Sequence, residues 1–137
     1  MLMHASCVAY DAGGILIKGC SGSGKSSLAL ALMAYGAALV SDDQTLLQLR
    51  DDWPTASAPP NLRGVIEARG IGLLAAKTAA QTRVTLVVDL DHTEPERLPP
   101  NRTTLVLDQP VALLHKVDTP YFAAAILQYL TGGKASR

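Results

Sequence analysis

The sequence has few aromatic residues and no excess of positive or negative charge. Its 137 residues include one Trp, one Phe and four Tyr, and 12 basic side chains balance 12 acidic ones. Nucleic-acid-binding proteins usually carry a basic face for the phosphate backbone, and those that bind single strands add aromatic side chains on which bases stack. We therefore expect no nucleic-acid partner.

The sequence also has no hydrophobic run of the length that crosses a membrane, because a membrane-spanning helix needs about 20 apolar residues. The longest apolar stretch, residues 28–40, is interrupted by Tyr35 and Gly36. Residues 1–4 show neither the charged nor the apolar part of a signal peptide. We expect a cytoplasmic protein without a membrane partner.

Cysteine is scarce too, since Cys7 and Cys20 are the only two in the chain. They fall in a predicted strand and a predicted loop, with no spacing typical of a metal site, so a reduced, cytoplasmic setting is the default. The length predicts a single domain, residues 1–137, that buries a core of its own.

The clearest motif is the segment 19–26, which reads Gly-Cys-Ser-Gly-Ser-Gly-Lys-Ser and fits the phosphate-binding loop (P-loop) pattern G-x-x-x-x-G-K-[ST]. In this pattern successive backbone N–H groups converge on a polyphosphate, Lys25 reaches the β/γ-phosphates and the hydroxyl of Ser26 ligates Mg²⁺. An apolar strand before the loop and a helix after it aim a helix N-terminus at the anion. The sequence therefore predicts a nucleoside triphosphate site, with contacts from Gly19, Ser21, Gly22, Ser23, Gly24, Lys25, Ser26 and Ser27.

The rest of the chain is predicted to be rich in strands, unlike the regular βαβ alternation of an ordinary P-loop protein. Residues 5–10 and 14–18 indicate a hairpin with its turn at 11–14, and a helix over 25–35 ends at Gly36. Further strands are predicted at 37–40, 45–50, 65–67, 84–90, 103–107 and 111–117, loops at 51–61 and 92–101, and a helix at 121–130. The predicted class is α/β with two main helices.

Two acidic positions are candidates to complete the site. Asp89 closes the apolar run 84–88 and is the obvious residue to hold Mg²⁺, as an acidic residue at a strand end does in P-loop enzymes. Asp42 and Asp43 instead end a short strand directly after the predicted helix, which returns the chain toward the phosphates. Carboxylates there could hold the metal or accept a proton from an incoming hydroxyl. The spacing alone leaves open that Asp42-Asp43 is only a solvated turn.

Four stretches of the sequence follow one another in an informative order. His4 with Val8 and Tyr10 precedes the P-loop, and residues 40–43 (Val-Ser-Asp-Asp) and 65–74 (Val-Ile-Glu-Ala-Arg-Gly-Ile-Gly-Leu-Leu) follow it. Together they resemble the C-terminal catalytic domain of bacterial HPr kinase/phosphorylase, including its signature I-E-x-R-G-x-G-I. The resemblance covers most of residues 4–90 and is weaker beyond them.

The resemblance implies a strand-rich P-loop kinase core, similar to the phosphoenolpyruvate carboxykinase type. It also implies a cytoplasmic kinase that uses ATP or pyrophosphate with Mg²⁺ to phosphorylate a serine of the phosphocarrier protein HPr, and that phosphate can reverse the modification. Other regulators of phosphotransferase or two-component systems are further candidate partners. Full-length members of the family are hexamers; without the family's further segments we do not expect that assembly, and a homo-oligomer stays open.

The resemblance also implies roles for single residues. Asp42 would be the general base that activates the serine hydroxyl, with His4 and Asp43 beside it. Gly70 and Gly72 would permit a tight backbone path in the signature segment. The implied catalytic residues are Asp42, His4, Lys25 and Asp43, the implied metal ligands are Ser26 and Glu67, and the implied nucleotide-side arginine is Arg69.

Several family features are missing from this sequence. The family usually has an N-terminal domain, and because this sequence begins almost at His4 we expect a truncated form that lacks it. Cys20 stands where the family usually has Asp, residues 74–80 lack the glycines of a Phe-Gly-x-Gly loop, and residues 119–122 (Thr-Pro-Tyr-Phe) replace a Pro-Gly-Arg-Asn segment. The loss of that phosphate-facing arginine argues against an efficient phosphorylase. Two alternatives to an HPr kinase remain: a kinase of the same fold for another hydroxyl substrate, and a nucleotide-sensing module without catalysis.

Overall fold

The computed structural model describes residues 1–11 and 13–135. Strands dominate it, and two helices accompany them, so the predicted α/β class with two main helices is confirmed. The elements are β1 (Leu2–Met3), β2 (Ala5–Tyr10), β3 (Gly13–Lys18), α1 (Lys25–Ala34), β4 (Ala38–Ser41), β5 (Thr45–Arg50), β6 (Trp53–Ser57), a 3₁₀ turn (Pro60–Leu62), β7 (Val65–Ala68), β8 (Gly72–Ala75), β9 (Gln81–Thr93), β10 (Arg102–Val106), β11 (Gln109–Lys116) and α2 (Phe122–Gly132). In the part of the chain so described, neither helix has the length and apolar character needed to cross a membrane.

Nine of the strands form one branched sheet around the long strand β9. The order is β1-β5-β6-β9-β3-β2-β4, and β11 also pairs with β9 and carries β10 on its other side. β9 is parallel to both β3 and β11, whereas β2 is antiparallel to β3 and to β4. β7 and β8 form a separate antiparallel hairpin.

The central strands are buried on both faces. In β3, Ile15 and Ile17 pack on one side with residues of α1 and α2, while Leu16 packs on the other side with Cys7 and other strand residues. An apolar run without polar alternation is typical of a strand that is covered on both faces. Because both faces are buried, the segments around β3 and β9 are recognisable in the sequence as apolar runs.

The P-loop lies at the carboxyl edge of the parallel strands. β3 leads directly into it, and Lys18 at the end of β3 is opposite Asp89 in β9. Ligand sites of open α/β sheets gather at this edge because the loops that follow parallel strands meet there. The fold therefore brings the end of β9 next to the P-loop.

α1 ends at Ala34, and Gly36 forms its C-terminal cap as predicted. The Gly36 N–H donates to the Met33 carbonyl (2.9 Å), and the Ala37 N–H donates to the Leu32 carbonyl (3.2 Å). With Gly36 at φ 108°, these bonds form a Schellman C-terminal cap. The cap turns the chain back into β4, whose end carries Asp42 and Asp43.

The prediction of a surface loop over residues 51–61 is wrong. The segment contains β6, which pairs with β5 through a tight turn at Asp51 and Asp52, both at positive φ, and with β9 through residues 55–57. Its prolines suggested a loop, but Pro54 lies outside the stretch that pairs with β9, and a proline is tolerated in a strand where a ladder hydrogen bond is not required.

Other element boundaries need smaller corrections. β9 covers 81–93 rather than 84–90, so the loop predicted at 92–101 begins later, and the short strands β1 and β8 have no counterpart among the predicted elements. The remaining predicted elements agree with the structure within one or two residues. The hairpin between β2 and β3 is confirmed by its pairing, although Ala12 of the predicted turn lies outside the described residues.

Candidate active site

The P-loop adopts a tight turn that depends on its glycines. Gly19, Gly22 and Gly24 have φ values of 157°, 82° and 103°, where residues with a side chain are rarely found. A Cβ added to Gly19 would clash with the Ser23 Oγ. Inside the turn, the Ser23 N–H donates to the Cys20 carbonyl (3.0 Å), and α1 begins at Lys25. The predicted loop at a helix N-terminus is therefore present, with Ser21 and Ser27 exposed beside it.

The Lys25 side chain folds back over the start of the loop. It is 6% exposed, and its Nζ donates to the Gly19 carbonyl (2.9 Å) and the Cys20 carbonyl (3.1 Å). An ammonium group has three donors, so one remains for an anion in the loop. The lysine thus holds the loop and supplies positive charge to it.

Asp42 is the centre of the hydrogen-bond network beside the loop. Its Oδ1 accepts hydrogen bonds from the Ser26 Oγ and the Ser6 Oγ, both at 2.8 Å, and its Oδ2 is 3.4 Å from the Glu67 backbone N–H. These donors come from α1, β2 and β7. The carboxylate is therefore oriented against the P-loop, and the interpretation of Asp42 as a merely solvated turn residue does not describe its surroundings.

His4 and Asp43 form a neighbouring pair. The His4 Nε2 lies 2.7 Å from the Asp43 Oδ1, and their side chains are 46% and 65% exposed. Asp43 has φ 67°, which is uncommon for a residue with a side chain, and its N–H donates to the Ser6 Oγ (3.2 Å). The two residues that the family resemblance placed together do lie together.

Ser6 is a residue of this network that sequence reasoning missed. It is fully buried in β2, donates to the Asp42 carboxylate and accepts from the Asp43 N–H. A serine inside an otherwise apolar buried strand was the available signal, because a buried hydroxyl needs a hydrogen-bond partner. The structure shows that its partners are the two aspartates.

The β7–β8 hairpin contributes Glu67 but not, by any contact, Arg69. Glu67 reaches Asp42 through its backbone N–H, while its side chain is exposed. Arg69 is exposed in the turn, and among the described residues its side chain makes no hydrogen bond or ion pair. A role for Arg69 at the nucleotide stays a prediction.

Asp89 does not complete the loop as a metal ligand would. Its Oδ1 accepts the Asp91 N–H (2.9 Å), and its Oδ2 is 2.8 Å from the His92 Nδ1. Both oxygens are therefore engaged by residues that follow it at the end of β9. Of the two acidic positions, Asp42 is the one that touches a P-loop side chain.

The donor atoms near the loop suit Mg²⁺. Within residues 1–11 and 13–135 no three His, Cys, Asp or Glu side chains gather into a site that could hold a metal. Mg²⁺, however, takes oxygen ligands, keeps several waters and is usually bound by one or two protein groups together with phosphates. The Ser26 hydroxyl and the exposed Glu67 carboxylate are oxygen groups of this kind.

The two cysteines have different surroundings. Cys7 is buried in β2, and its burial raises the pKa of the thiol to about 12. Cys20 is exposed on the P-loop, and the neighbouring Asp91 carboxylate raises the pKa of its thiol. Neither thiol is activated as a nucleophile, because activation requires a lowered pKa.

Comparison with known proteins agrees with the fold. A family model described as the HPr Serine kinase C-terminal domain matches residues 1–123. An HPr kinase/phosphorylase from Exiguobacterium sp. is 37% identical over 98 residues, which cover 66% of this chain and 32% of that protein. One from Listeria monocytogenes is 30% identical over 126 residues, which cover 86% of this chain and 39% of that protein. The chain thus spans about a third of the length of these relatives.

A solved structure is also similar to this chain. The structure titled Hpr(Ser) kinase/phosphatase from Coxiella burnetii superposes with a TM-score of 0.74 and 28% sequence identity, and the match covers 93% of this chain and 85% of that one. The predicted resemblance and the strand-rich kinase core are confirmed. The chain belongs to the family of HPr serine kinase C-terminal domains.

Proposed function

We propose that this chain, as a single catalytic domain over residues 1–137, is a cytoplasmic protein-serine kinase that transfers the γ-phosphoryl group of ATP to a serine hydroxyl of the phosphocarrier protein HPr. The observation that carries the proposal is the contact of the Asp42 carboxylate with the Ser26 hydroxyl of the P-loop, at 2.8 Å. It holds a potential base directly beside the place where phosphates bind. HPr is proposed as the substrate because the relatives are named HPr kinase/phosphorylase.

The hydrogen bonds of Asp42 support its role as the general base. Two hydroxyls donate to Oδ1, while among residues 1–11 and 13–135 Oδ2 receives one long contact of 3.4 Å, so Oδ2 has lone-pair capacity for a substrate hydroxyl. In kinases an aspartate accepts the proton of the hydroxyl that attacks the phosphoryl group. His4 and Asp43 flank this carboxylate and would line the approach of the serine.

The loop supports ATP as the phosphoryl donor. Its backbone N–H groups, the N-terminus of α1 and the remaining donor of Lys25 favour a polyphosphate. Ser26 and Glu67 are the residues that would hold Mg²⁺, which neutralises the developing charge of phosphoryl transfer when it is bound. No arginine stands in residues 117–122, so we expect phosphorolysis of phosphorylated HPr to be weak.

The test is incubation of the chain with ATP, Mg²⁺ and HPr from the same organism. We expect HPr to gain one phosphoryl group on a serine, detected by intact mass and peptide mapping. The matched control omits Mg²⁺. If the chain binds ATP with HPr left unmodified, the kinase proposal is wrong and a nucleotide-sensing module remains. If HPr stays unmodified while another hydroxyl substrate is phosphorylated, only the substrate assignment is wrong.

A further inference from the structure

The end of β9 touches the P-loop through an aspartate that has no place in the proposed chemistry. The Cys20 backbone N–H points at the Asp91 carboxylate, with distances of 3.0 Å to Oδ1 and 3.2 Å to Oδ2. The two residues are 71 positions apart in the chain. This contact therefore joins the first turn of the loop to a different strand of the sheet.

Asp91 is itself held in place by Asp89. Asp89 is 7% exposed at the end of β9, its Oδ1 accepts the Asp91 N–H (2.9 Å), and its Oδ2 pairs with the His92 Nδ1 (2.8 Å). A buried carboxylate is stable only when hydrogen bonds satisfy it, and these two bonds do so. The buried aspartate thereby fixes the backbone that presents the Asp91 carboxylate to the loop.

The carbonyl and the N–H of Cys20 are therefore both held by hydrogen bonds. Its carbonyl accepts the Lys25 Nζ (3.1 Å) and the Ser23 N–H (3.0 Å), while its N–H donates to Asp91. The Cys20 N–H also holds the pKa of the Asp91 carboxyl below its ordinary value, in keeping with a carboxylate that accepts a hydrogen bond. The loop backbone is thus restrained before any ligand arrives.

We infer that Asp91 is a positioning residue of the nucleotide site, supported by Asp89, and that it preorders the first turn of the P-loop for a polyphosphate. The inference rests on the nucleotide binding proposed above. A loop that is already in its binding conformation does not lose that conformational freedom when the ligand binds, so affinity is higher. Asp91 acts through the Cys20 amide rather than by touching the phosphates.

The first experiment compares Asp91→Ala with Asp91→Asn. Both variants lose the same charge, but only the asparagine keeps a side-chain oxygen that can accept the Cys20 N–H. We expect the dissociation constant for MgATP, measured by calorimetry, to be roughly fivefold higher for Asp91→Ala than for Asp91→Asn, since a hydrogen bond between uncharged groups contributes on this order. Asp108→Asn, an exposed aspartate in the turn between β10 and β11, controls for the lost charge elsewhere.

The second experiment does not depend on nucleotide binding. Without nucleotide, hydrogen exchange of the peptide that spans the loop should be faster in Asp91→Ala than in the wild type and in Asp91→Asn, with an unchanged melting temperature. Equal exchange and equal affinity in the two Asp91 variants would overturn the inference. A wild type that binds no ATP would refute the proposed function instead, and the exchange rates would still decide whether Asp91 orders the loop.

Discussion

At the scale of single residues, the site depends on how the hydrogen-bond donors around Asp42 are divided between its two carboxylate oxygens. Ser6 and Ser26 both donate to Oδ1, which fixes the plane of the carboxylate and leaves Oδ2 facing a single weak donor. A base needs a free lone pair within reach of the proton that it accepts. In the proposed reaction the two serines would therefore orient the carboxylate, and the carboxylate would accept the proton.

This division predicts the effect of Asp42→Asn. Asparagine keeps an oxygen for the serine hydroxyls, but it cannot take the proton, so phosphoryl transfer to HPr should fall by about 10²–10⁴-fold, the usual contribution of general base catalysis. The dissociation constant for MgATP should change little. Single-turnover kinetics and calorimetry measure the two quantities, with Asp108→Asn as the matched control. Transfer at nearly the wild-type rate would show that another group accepts the proton.

At the scale of elements, the β7–β8 hairpin packs on the core mainly through Ile66, and Leu74 of β8 lies partly buried against the same cluster. Ile66 is 1% exposed and belongs to the core cluster that includes Leu28 and Ala29 of α1, whereas its neighbour Val65 is 40% exposed. The turn of the hairpin extends into solvent, with Ile71 and Leu73 exposed. Docking of Ile66 thus keeps the Glu67 N–H next to Asp42.

This attachment predicts a difference between two neighbouring substitutions. Ile66→Ala should lower the free energy of unfolding by about 2–4 kcal/mol, because a buried aliphatic side chain is replaced by a cavity. Val65→Ala, on the exposed face of the same strand, should cost less than about 1 kcal/mol. Urea denaturation measures both. Equal losses would mean that the hairpin is not docked through Ile66.

The element scale also shows where sequence reasoning succeeded and failed. The P-loop, α1 and its Gly36 cap were predictable because their conformations depend on adjacent residues and on glycines at positive φ. β6 was missed because its prolines suggested a loop, and its status as a strand depends on pairing with β5 and β9. The same holds for Ser6, whose partners lie 36 and 37 positions away.

At the scale of the whole molecule, the sheet is covered on both sides and protects its interior from reagents. Cys7 is fully buried on the face that also contains Leu16 and Val87, and its thiol pKa is raised to about 12. Cys20, on the P-loop, is exposed. Modification of the Cys20 thiol therefore reports on the P-loop, and modification of the Cys7 thiol reports on global unfolding.

This difference predicts a labelling pattern. A thiol reagent should modify Cys20 but not Cys7 in the native chain. Only the thiolate reacts, and Cys7 is kept protonated and covered. A Cys20→Ser variant should therefore stay unmodified until denaturant unfolds it. The release of chromophore from an aromatic disulfide reagent measures both. Rapid modification of native Cys20→Ser would contradict a core that closes over β2.

The amino-acid sequence by itself determined the phosphate-binding loop, the α/β class and the family resemblance. Those features depend on short runs of consecutive residues, in which the residue types dictate the local backbone and chemistry. The family resemblance implied Asp42 rather than Asp89, but only the tertiary structure shows which acidic residues contact the loop and through which atoms. Asp42 meets Ser6, Ser26 and Glu67 across 36, 16 and 25 positions, and Asp91 meets Cys20 across 71. Contacts between residues so far apart in the chain follow from strand pairing and packing, which cannot be read from one stretch of sequence.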